Sequence, residues 1–179
     1  MTESERQLTP VDTIAEAWVD DVAELFPTIA TYIGRVEYND RYGDYSPAGA
    51  DAAAERARAR LRELRAATPV DAVDEVTKQD LTRELELSVE VHEARVHLRD
   101  LNVIASPAQD IRSVLDLMPT ATAQDWEVIS ARLRALPSAI GGYIETLRHG
   151  IDAGVVPARR QVGEVITQIA RYTADDGFF

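Results

Sequence analysis

Residues 122–154, TAQDWEVISARLRALPSAIGGYIETLRHGIDAG, repeat apolar side chains at helical spacing. Thr122 and Asp125 make a capping-box-like start for this helix, since such a pair satisfies free backbone N–H groups in the first turn. A predicted core face follows at Trp126, Ile129, Leu133 and Leu136. Pro137 interrupts the pattern, which resumes until Gly154 supplies a helix stop, with apolar positions at Ile140, Ile144, Leu147 and Ile151.

Similar helical spacing and stop signals extend over the rest of the chain. Thr9 before Pro10, and Ser46 before Pro47, each place an N-cap side chain ahead of a proline that suits the first helical position. The predicted helices cover residues 9–26, 46–67, 74–98, 110–118 and 158–172, and a short helix with an ordered loop covers residues 27–45. No run alternates as strands do, so the sequence predicts an all-α fold, a multi-helix bundle of about six to seven helices.

Length and composition indicate one folded region. The chain has 179 residues, of which 45% are hydrophobic and 28% are charged, as is ordinary for a globular protein. We therefore expect residues 1–179 to form a single helical region, with residues 1–8 flexible. The absence of cysteine excludes a disulfide framework, a thiolate zinc site and a cysteine nucleophile.

Charge and hydropathy argue against two classes of partner. The formal net charge of −12 opposes binding to nucleic acid, because that binding draws most of its affinity from Lys and Arg. No run of about 18 apolar residues is present, so no membrane span is expected. Residues 1–10, MTESERQLTP, lack the basic start and apolar stretch of an export signal, and the predicted location is the cytoplasm.

His92 and His97 invite comparison with the helix of a zinc peptidase, which places two histidines four residues apart beside a glutamate. Here the spacing is five residues. On a regular helix, five positions turn the second imidazole roughly 140° away from the first, so we do not expect the pair to bind one metal ion. The third histidine, His149, is expected near a helix end without a catalytic role. We predict no catalytic residue and no metal ligand in this chain.

Two charged rows and a glycine pair have structural interpretations. The stripe of Glu86, Glu90, Glu93 and His97 is expected to be a solvated face, since a ferritin-like metal site needs Glu-x-x-His pairs on two helices. The basic row is expected to pair with neighbouring helices rather than bind phosphate, and it comprises Arg58, Arg62 and Arg65. Gly141 and Gly142 lie inside an apolar helical pattern, where close packing explains their small size.

Two stretches of the chain resemble a known family. The first is Pro27-x-x-Ala30-Thr31-x-x-Gly34, followed by Tyr38, Asp40, Arg41, Asp44 and the helix start at Ser46 and Pro47. The second contains Leu136, Pro137, Tyr143, Leu147, Gly150, Gly154, Pro157 and the run Arg159-Arg160-Gln161-Val162. Their order and separation resemble the N-terminal part of the bacterial domain-of-unknown-function 885 family, whose members are mostly helical and much longer than this chain.

The resemblance implies that the chain is the N-terminal scaffold of a larger zinc metallopeptidase-like hydrolase, where it forms one wall of a cleft and is inactive alone. The family's His-Glu-x-x-His motif lies beyond residue 179, so any zinc would be held by the C-terminal part of the parent chain. The aromatic ending of residues 175–179, DDGFF, is expected of a truncated piece. Substrate-facing positions are expected at Tyr38, Asp40, Arg41, Arg159 and Arg160.

A second hypothesis stays open beside the first. The chain would be a self-contained helical module that binds another protein, or forms a homo-oligomer, through an exposed apolar helix face. The two hypotheses differ in what the surface should look like. A truncated wall should expose a large apolar surface, whereas a complete module should close its core.

Overall fold

A computed structural model describes residues 6–177. Within them the chain forms seven α-helices and no strand, which confirms the all-α prediction. The helices are α1 (Pro10–Leu25), α2 (Pro27–Tyr32), α3 (Pro47–Ala66), α4 (Ala72–Glu93), α5 (Pro107–Ser113), α6 (Ala123–Asp152) and α7 (Arg159–Tyr172). Short 3₁₀ turns follow α2, α4 and α5, at Val36–Tyr38, Val96–Arg99 and Val114–Leu117. Of residues 1–8, which were predicted to be flexible, residues 1–5 lie outside the described residues.

The predicted helix starts are confirmed by their hydrogen bonds. At α1, the Thr9 hydroxyl accepts from the Asp12 amide at 3.1 Å, and the Asp12 carboxylate accepts from the Thr9 amide at 3.0 Å. Thr122 and Asp125 form the same reciprocal pair at α6. The Ser46 hydroxyl caps α3 by accepting from the amide of Gly49. These signals are local, since each cap satisfies backbone groups within one turn of its own residue.

Helices α1, α3 and α4 pack around one apolar core, and ion pairs tie them together at its edges. The core residues are Val11, Ala57, Leu61, Leu64 and Leu85. Asp21 on α1 is buried and pairs with Arg56 and Arg60 on α3. Arg58 and Arg65, from the predicted basic row, pair across to Glu93 and Glu86 on α4 at 3.0 and 2.6 Å. These two arginines therefore confirm the expected pairing with a neighbouring helix.

The helices differ from the prediction in several places, including the end of α5, which lies at Ser113 and not at residue 118. Helix α5 begins at Pro107, before the predicted residue 110, because Ser106 and Gln109 form a capping box ahead of it. Helix α4 ends at Glu93 instead of continuing to residue 98. Helix α6 runs without a break through Pro137, at which the sequence pattern was expected to be interrupted. No helix within residues 6–177 combines the length and apolar character that crossing a bilayer requires.

Ile129 is buried as predicted, but most of the buried face of α6 is not the face that the apolar pattern predicts. Trp126 is 57% exposed and Ile151 is 64% exposed, and Leu133, Ile140 and Ile144 are exposed as well. The helix instead buries a smaller and more polar row, formed by Ile129, Arg132, Ala139, Tyr143, Thr146 and Gly150. At about 100° per residue, this row lies roughly 100° around the helix from the exposed one. We call Trp126, Leu133, Ile140, Ile144 and Ile151 the apolar stripe of α6.

Two glycines of α6, Gly142 and Gly150, let other backbone segments approach the helix closely. A Cβ atom on Gly142 would lie 2.9 Å from the Ser46 backbone nitrogen, and one on Gly150 would lie 2.3 Å from the Leu98 carbonyl oxygen. Both distances are too short for a side chain. The prediction of close packing is therefore confirmed for Gly142. It is wrong for Gly141, at which a Cβ atom would meet open space.

Helix α7 is held by amide hydrogen bonds and stands away from α6. Gln161 accepts from the backbone amide of Val103 at 3.1 Å, and Gln168 donates to the Val103 carbonyl at 3.0 Å and accepts from Gln109 at 2.8 Å. An apolar cavity of about 570 Å³ remains between α5, α6 and α7.

Candidate functional site

Arg132 on α6 anchors the loop that follows α2. Its side chain is 0% exposed, and its guanidinium donates to the carbonyl oxygens of Pro27, Tyr38 and Arg41, each at 3.1 Å. A fourth hydrogen bond, at 3.0 Å, reaches the Thr31 hydroxyl. The planar fork of a guanidinium suits several fixed acceptors at once. One buried side chain therefore sets the position of the loop that carries three of the predicted substrate-facing residues.

Those three residues, Tyr38, Asp40 and Arg41, come together on that loop. The Arg41 guanidinium donates to the Asp40 carboxylate at 2.6 Å, and its carbon lies 5.8 Å from the centre of the Tyr38 ring. This neighbouring cation lowers the pKa of Asp40, so that the carboxylate stays ionised at neutral pH. Asp40 and Arg41 are exposed, and the loop presents a paired charge and an aromatic ring to solvent.

Arg159 and Arg160 lie apart from this loop group. Both are exposed in the first turn of α7. Within residues 6–177, neither forms a hydrogen bond or ion pair with the loop. The helix dipole disfavours a cation at a helix N-terminus, so the position of these arginines does not stabilise α7. The five predicted positions therefore form two groups, not one site.

A cavity of about 250 Å³ brings together polar side chains that the sequence analysis did not predict to share a site. It lies beside the starts of α2 and α3 and the middle of α6, and its polar lining includes Tyr45, His97, Asp100, Asp110, Tyr143 and Thr146. The Tyr143 hydroxyl donates to the Asp100 carbonyl oxygen at 2.7 Å, and the Thr146 hydroxyl donates to that of Tyr45 at 2.7 Å. These two α6 residues therefore fix both walls of the cavity, which we call the acidic cavity.

Two of the three aspartates that line the acidic cavity, Asp100 and Asp110, have raised pKa values. Burial raises the pKa of Asp100 and of Asp110, and the charge of Asp110 raises that of Asp100 further. Among residues 6–177, neither carboxylate has an ion-pair partner. A partly desolvated carboxyl in a cavity can donate a proton to a bound group or attract a cation, and such shifted groups cluster at functional sites. Burial likewise raises the pKa of Tyr45 and Tyr143, which keeps both phenols protonated.

His92 and His97 meet, contrary to the prediction that a helix turns them apart. Because α4 ends at Glu93 and Arg95 takes a left-handed conformation with φ 57°, the chain turns back and stacks the two rings. Their centres are 4.9 Å apart and their planes differ by 8°. The lone pairs of parallel, separated rings lie in different planes, so they do not converge on one ion. Within residues 6–177, no three His, Cys, Asp or Glu side chains are placed to hold a metal.

All three histidines of the chain line one cavity of about 280 Å³ at the end of α4. The Nε2 atom of His92 lies 2.9 Å from a carboxylate oxygen of Asp51. His149, on α6, lines the same cavity. The Nδ1 atoms of His92 and His97 are buried without a hydrogen-bond partner. His97 also lines the acidic cavity, so its imidazole separates the two.

His97 should make the stability of the fold depend on pH. Burial, and then the neighbouring His92 and His149, lower its pKa in the folded state, whereas Asp51 acts in the opposite direction. The unfolded chain, with a histidine pKa of about 6.5, then binds more protons, so stability falls as pH decreases from about 6.5 through the folded-state pKa. Urea unfolding at pH 7.5 and at pH 5.0 measures the difference in stability between the two pH values. Replacing His97 with glutamine should make this difference smaller.

The control for this experiment is His149→Gln, since His149 is exposed and supplies the smallest of the effects on His97. That variant should keep most of the parent's stability difference between the two pH values. An undiminished difference in the His97→Gln variant would show that another group carries the dependence.

Among the site residues that sequence analysis missed, some are marked by a pattern in the sequence and others are not. Arg132 did, because it stands three residues after Ile129 and four before Leu136, at core spacing within a helix. Asp100 and Asp110 left none. They lie on separate elements, and only the path of the chain between α4 and α5 brings them into one cavity.

Comparison with known proteins gives one result about ancestry. The family model described as "Bacterial protein of unknown function (DUF885)" matches residues 27–178, from the start of α2 past the end of α7. The match includes the Arg132-anchored loop, the acidic cavity and the histidine cavity. No curated protein matches the chain. Because the matched region covers most of the sequence, the chain belongs to the bacterial DUF885 family.

Proposed function

We propose that this chain forms one wall of a substrate cleft in a larger zinc metallopeptidase-like hydrolase, and that it is inactive alone. The observation that carries the proposal is the apolar stripe of α6, which is exposed while a more polar row of the same helix is buried. Contiguous apolar surface on a folded chain marks a contact with something else. We assign that contact to the C-terminal part of the parent chain.

A second exposed apolar group supports the same assignment. Phe26, Ile29, Tyr32, Ile33 and Val36, in and beside α2, are each more than one third exposed. Phe26 and Ile29 also line the acidic cavity, so a partner covering this group would close over the cavity. Excluding water from a cavity strengthens the electrostatic effect of the carboxyls inside it. The acidic cavity would then lie inside the proposed cleft.

The zinc ion of such a hydrolase does not fit the described part of this chain. The only close histidine pair within residues 6–177 has parallel rings, and no set of three donors converges. We therefore assign binding and orientation to this chain, and the metal to residues outside it. Asp100 and Asp110 would bind or protonate groups of the substrate, and Tyr38, Asp40, Arg41, Arg159 and Arg160 would contact it from the rim. The proposed location is the cytoplasm.

The apolar stripe also favours a second candidate function. A self-contained module that forms a homodimer would use the stripe as its interface, because a two-fold contact buries the same patch on both copies. The two candidate functions predict different results for zinc binding and for self-association. Only the cleft wall requires a metal site elsewhere in the parent, and only the module requires a stable dimer of this chain.

The decisive experiment compares residues 1–179 with the complete product of the reading frame that encodes them. We expect the 179-residue chain to hold no stoichiometric zinc and to hydrolyse no peptide in a mixed peptide library, since it lacks a converging donor set. The complete product should hold one zinc ion and cleave. Metal analysis and mass spectrometry of the library give both results.

A matched variant pair tests the role of the acidic cavity in the complete product. Asp110→Asn removes one acid from the cavity, and Asp116→Asn removes an exposed acid just after α5. Only the first should reduce hydrolysis. Stoichiometric zinc with hydrolysis by the 179-residue chain would contradict the proposal, and a zinc-free stable dimer would favour the module.

A further inference from the structure

We infer that the histidine cavity at the end of α4 binds a tetrahedral oxyanion such as phosphate, and that Arg95, His97 and His149 hold it. The cavity has a volume of about 280 Å³, and all three side chains line it. They come from three places in the chain, since Arg95 follows α4, His97 lies in the 3₁₀ turn Val96–Arg99 and His149 lies on α6. Donors that converge from separate elements on one cavity suit an anion with several oxygens.

The two carboxylates that line the cavity already have partners on the protein. The Nε2 atom of His92 lies 2.9 Å from a carboxylate oxygen of Asp51, and Arg58 donates to the carboxylate of Glu93 at 3.0 Å. A paired carboxylate repels a nearby anion less than a free one does, because its partner offsets part of its field. The remaining polar side chains of the cavity therefore decide which charge it can bind.

Arg95 brings a free cation to the cavity in a costly backbone conformation. Its φ and ψ of 57° and 31° lie in the left-handed region, which glycine and asparagine adopt most readily. Within residues 6–177 its side chain forms no hydrogen bond and no ion pair that would repay this conformation. An outlier of this kind points to a function of the side chain. A guanidinium presents several donors in one plane, which suits the oxygens of phosphate.

The two imidazoles add donors that the rest of the fold does not use. The Nδ1 atom of His97 is buried without a partner, and a proton there would be a buried donor without an acceptor. The neutral ring therefore carries its proton on Nε2, which is left to bind a ligand. His149 is exposed, and in the described part of the chain its side chain has no hydrogen-bond or ion-pair partner. Each ring donates one hydrogen bond when neutral and becomes a cation when protonated.

The number of donors and the volume set the class of ligand. Three donor side chains suit the four oxygens of a tetrahedral oxyanion better than the two of a carboxylate. A water molecule occupies roughly 30 Å³ in the liquid, so the cavity also has room for a small organic group on the oxyanion. Pro47 and Leu98 provide apolar wall for such a group. The ligand is therefore a free oxyanion or the phosphate group of a small ester.

This inference does not depend on the proposed cleft, and its test needs neither zinc nor hydrolysis. Sodium sulfate is titrated into the full 179-residue chain at pH 7.5, and the ring-proton NMR signals of its three histidines are followed. The signals of His97 and His149, assigned with the variants His97→Gln and His149→Gln, should shift and saturate. Sodium chloride at the same ionic strength should give no saturable shift, which separates binding from charge screening.

A pair of arginine variants separates the cavity from the general surface. Arg95→Gly removes the guanidinium and places in the left-handed conformation the residue that tolerates it best, so this variant should fold at least as stably as the parent. It should bind sulfate about tenfold or more weakly. Arg99→Gln is the control, because Arg99 is exposed and does not line the cavity, and its affinity should change by less than about twofold. Equal affinity in the parent and Arg95→Gly, or equal losses in the two variants, would overturn the inference.

The affinity for sulfate should also depend on pH. Sulfate keeps both charges between pH 5.5 and 7.5, whereas the two imidazoles gain positive charge as the pH falls, so binding should be tighter at pH 5.5. Protonation of the carboxyls on the far side of His97 would act in the same direction. Weaker binding at pH 5.5 would overturn the inference. The charged and titratable groups that line the two cavities beside His97 are Asp44, Tyr45, Asp51, Arg58, His92, Glu93, Arg95, Asp100, Asp110, Tyr143 and His149.

Two sources of the oxyanion are distinguished by a further titration at pH 7.5. Phenyl phosphate is mostly a dianion at this pH, because the second pKa of a phosphate ester is about 6. Tighter binding of phenyl phosphate than of sulfate would identify the ligand as a phosphate ester, and equal or weaker binding would identify a free oxyanion. Absence of saturable shifts with both ligands would overturn the inference. So would an affinity for acetate equal to that for sulfate, since a carboxylate would then satisfy the cavity equally well.

Discussion

Replacing Arg132 with methionine should lower the free energy of unfolding by roughly 3–5 kcal/mol, because several buried acceptors lose their donor at about 1–3 kcal/mol each. The acceptors are the carbonyl oxygens of Pro27, Tyr38 and Arg41 and the hydroxyl of Thr31. Methionine matches the length of the side chain but donates no hydrogen bond. Urea unfolding followed by circular dichroism measures the loss.

The matched control for that experiment lies two residues further along α6. Arg134 is exposed, and its side chain donates to the hydroxyl of Ser130 alone among the described residues, so Arg134→Met should change stability by no more than about 0.5 kcal/mol. Arg132→Lys keeps the charge but loses the fork, and should fall between the two. If Arg132→Met were as stable as Arg134→Met, Arg132 would not be the anchor of the loop.

Replacing Gly150 with alanine should destabilise the fold by about 1–3 kcal/mol or more, since the added carbon has no space. It would lie 2.3 Å from the Leu98 carbonyl oxygen and 2.6 Å from that of Val155, and both are backbone atoms that a side-chain rotation does not move. The segment from Val96 onward would have to shift. Thermal unfolding of the variant, followed by circular dichroism, measures the change.

Gly141 provides the opposite expectation on the same helix. A Cβ atom there meets nothing within 4 Å, so Gly141→Ala should raise stability by about 0.5–1 kcal/mol, the helix-propensity difference between glycine and alanine. Opposite signs at the two positions are the expected result. A gain of stability in Gly150→Ala would mean that the Leu98 segment does not pack against α6 as described.

Elements of the fold that depend on neighbouring residues could be predicted from the sequence. The starts of α1, α3 and α6 follow from Thr9, Ser46 and Thr122, because a cap acts within its own turn. The end of α4 could not be predicted in the same way. It carries neither glycine nor proline, and Arg95 adopts the left-handed conformation usually left to glycine or asparagine.

The sequence also could not predict which face of α6 is buried. The apolar pattern predicts a core at Trp126 and Leu133, yet the neighbouring row is covered by loops that need small or hydrogen-bonding partners, such as Gly142 and Arg132. Hydrophobic periodicity identifies which residues avoid water, not which of the chain's segments will cover them. The acidic cavity could not be predicted for a related reason, because its aspartates become neighbours only after folding.

The imidazole of His97 lines both the acidic cavity and the histidine cavity. A charge bound in the acidic cavity would therefore change the proton affinity of His97. A cation resting near Asp100 would make protonation of that imidazole less favourable. By thermodynamic linkage, protonation of the imidazole would lower the affinity for the cation by the same factor. Protonation of His97 would thus weaken the binding of a cation in the acidic cavity.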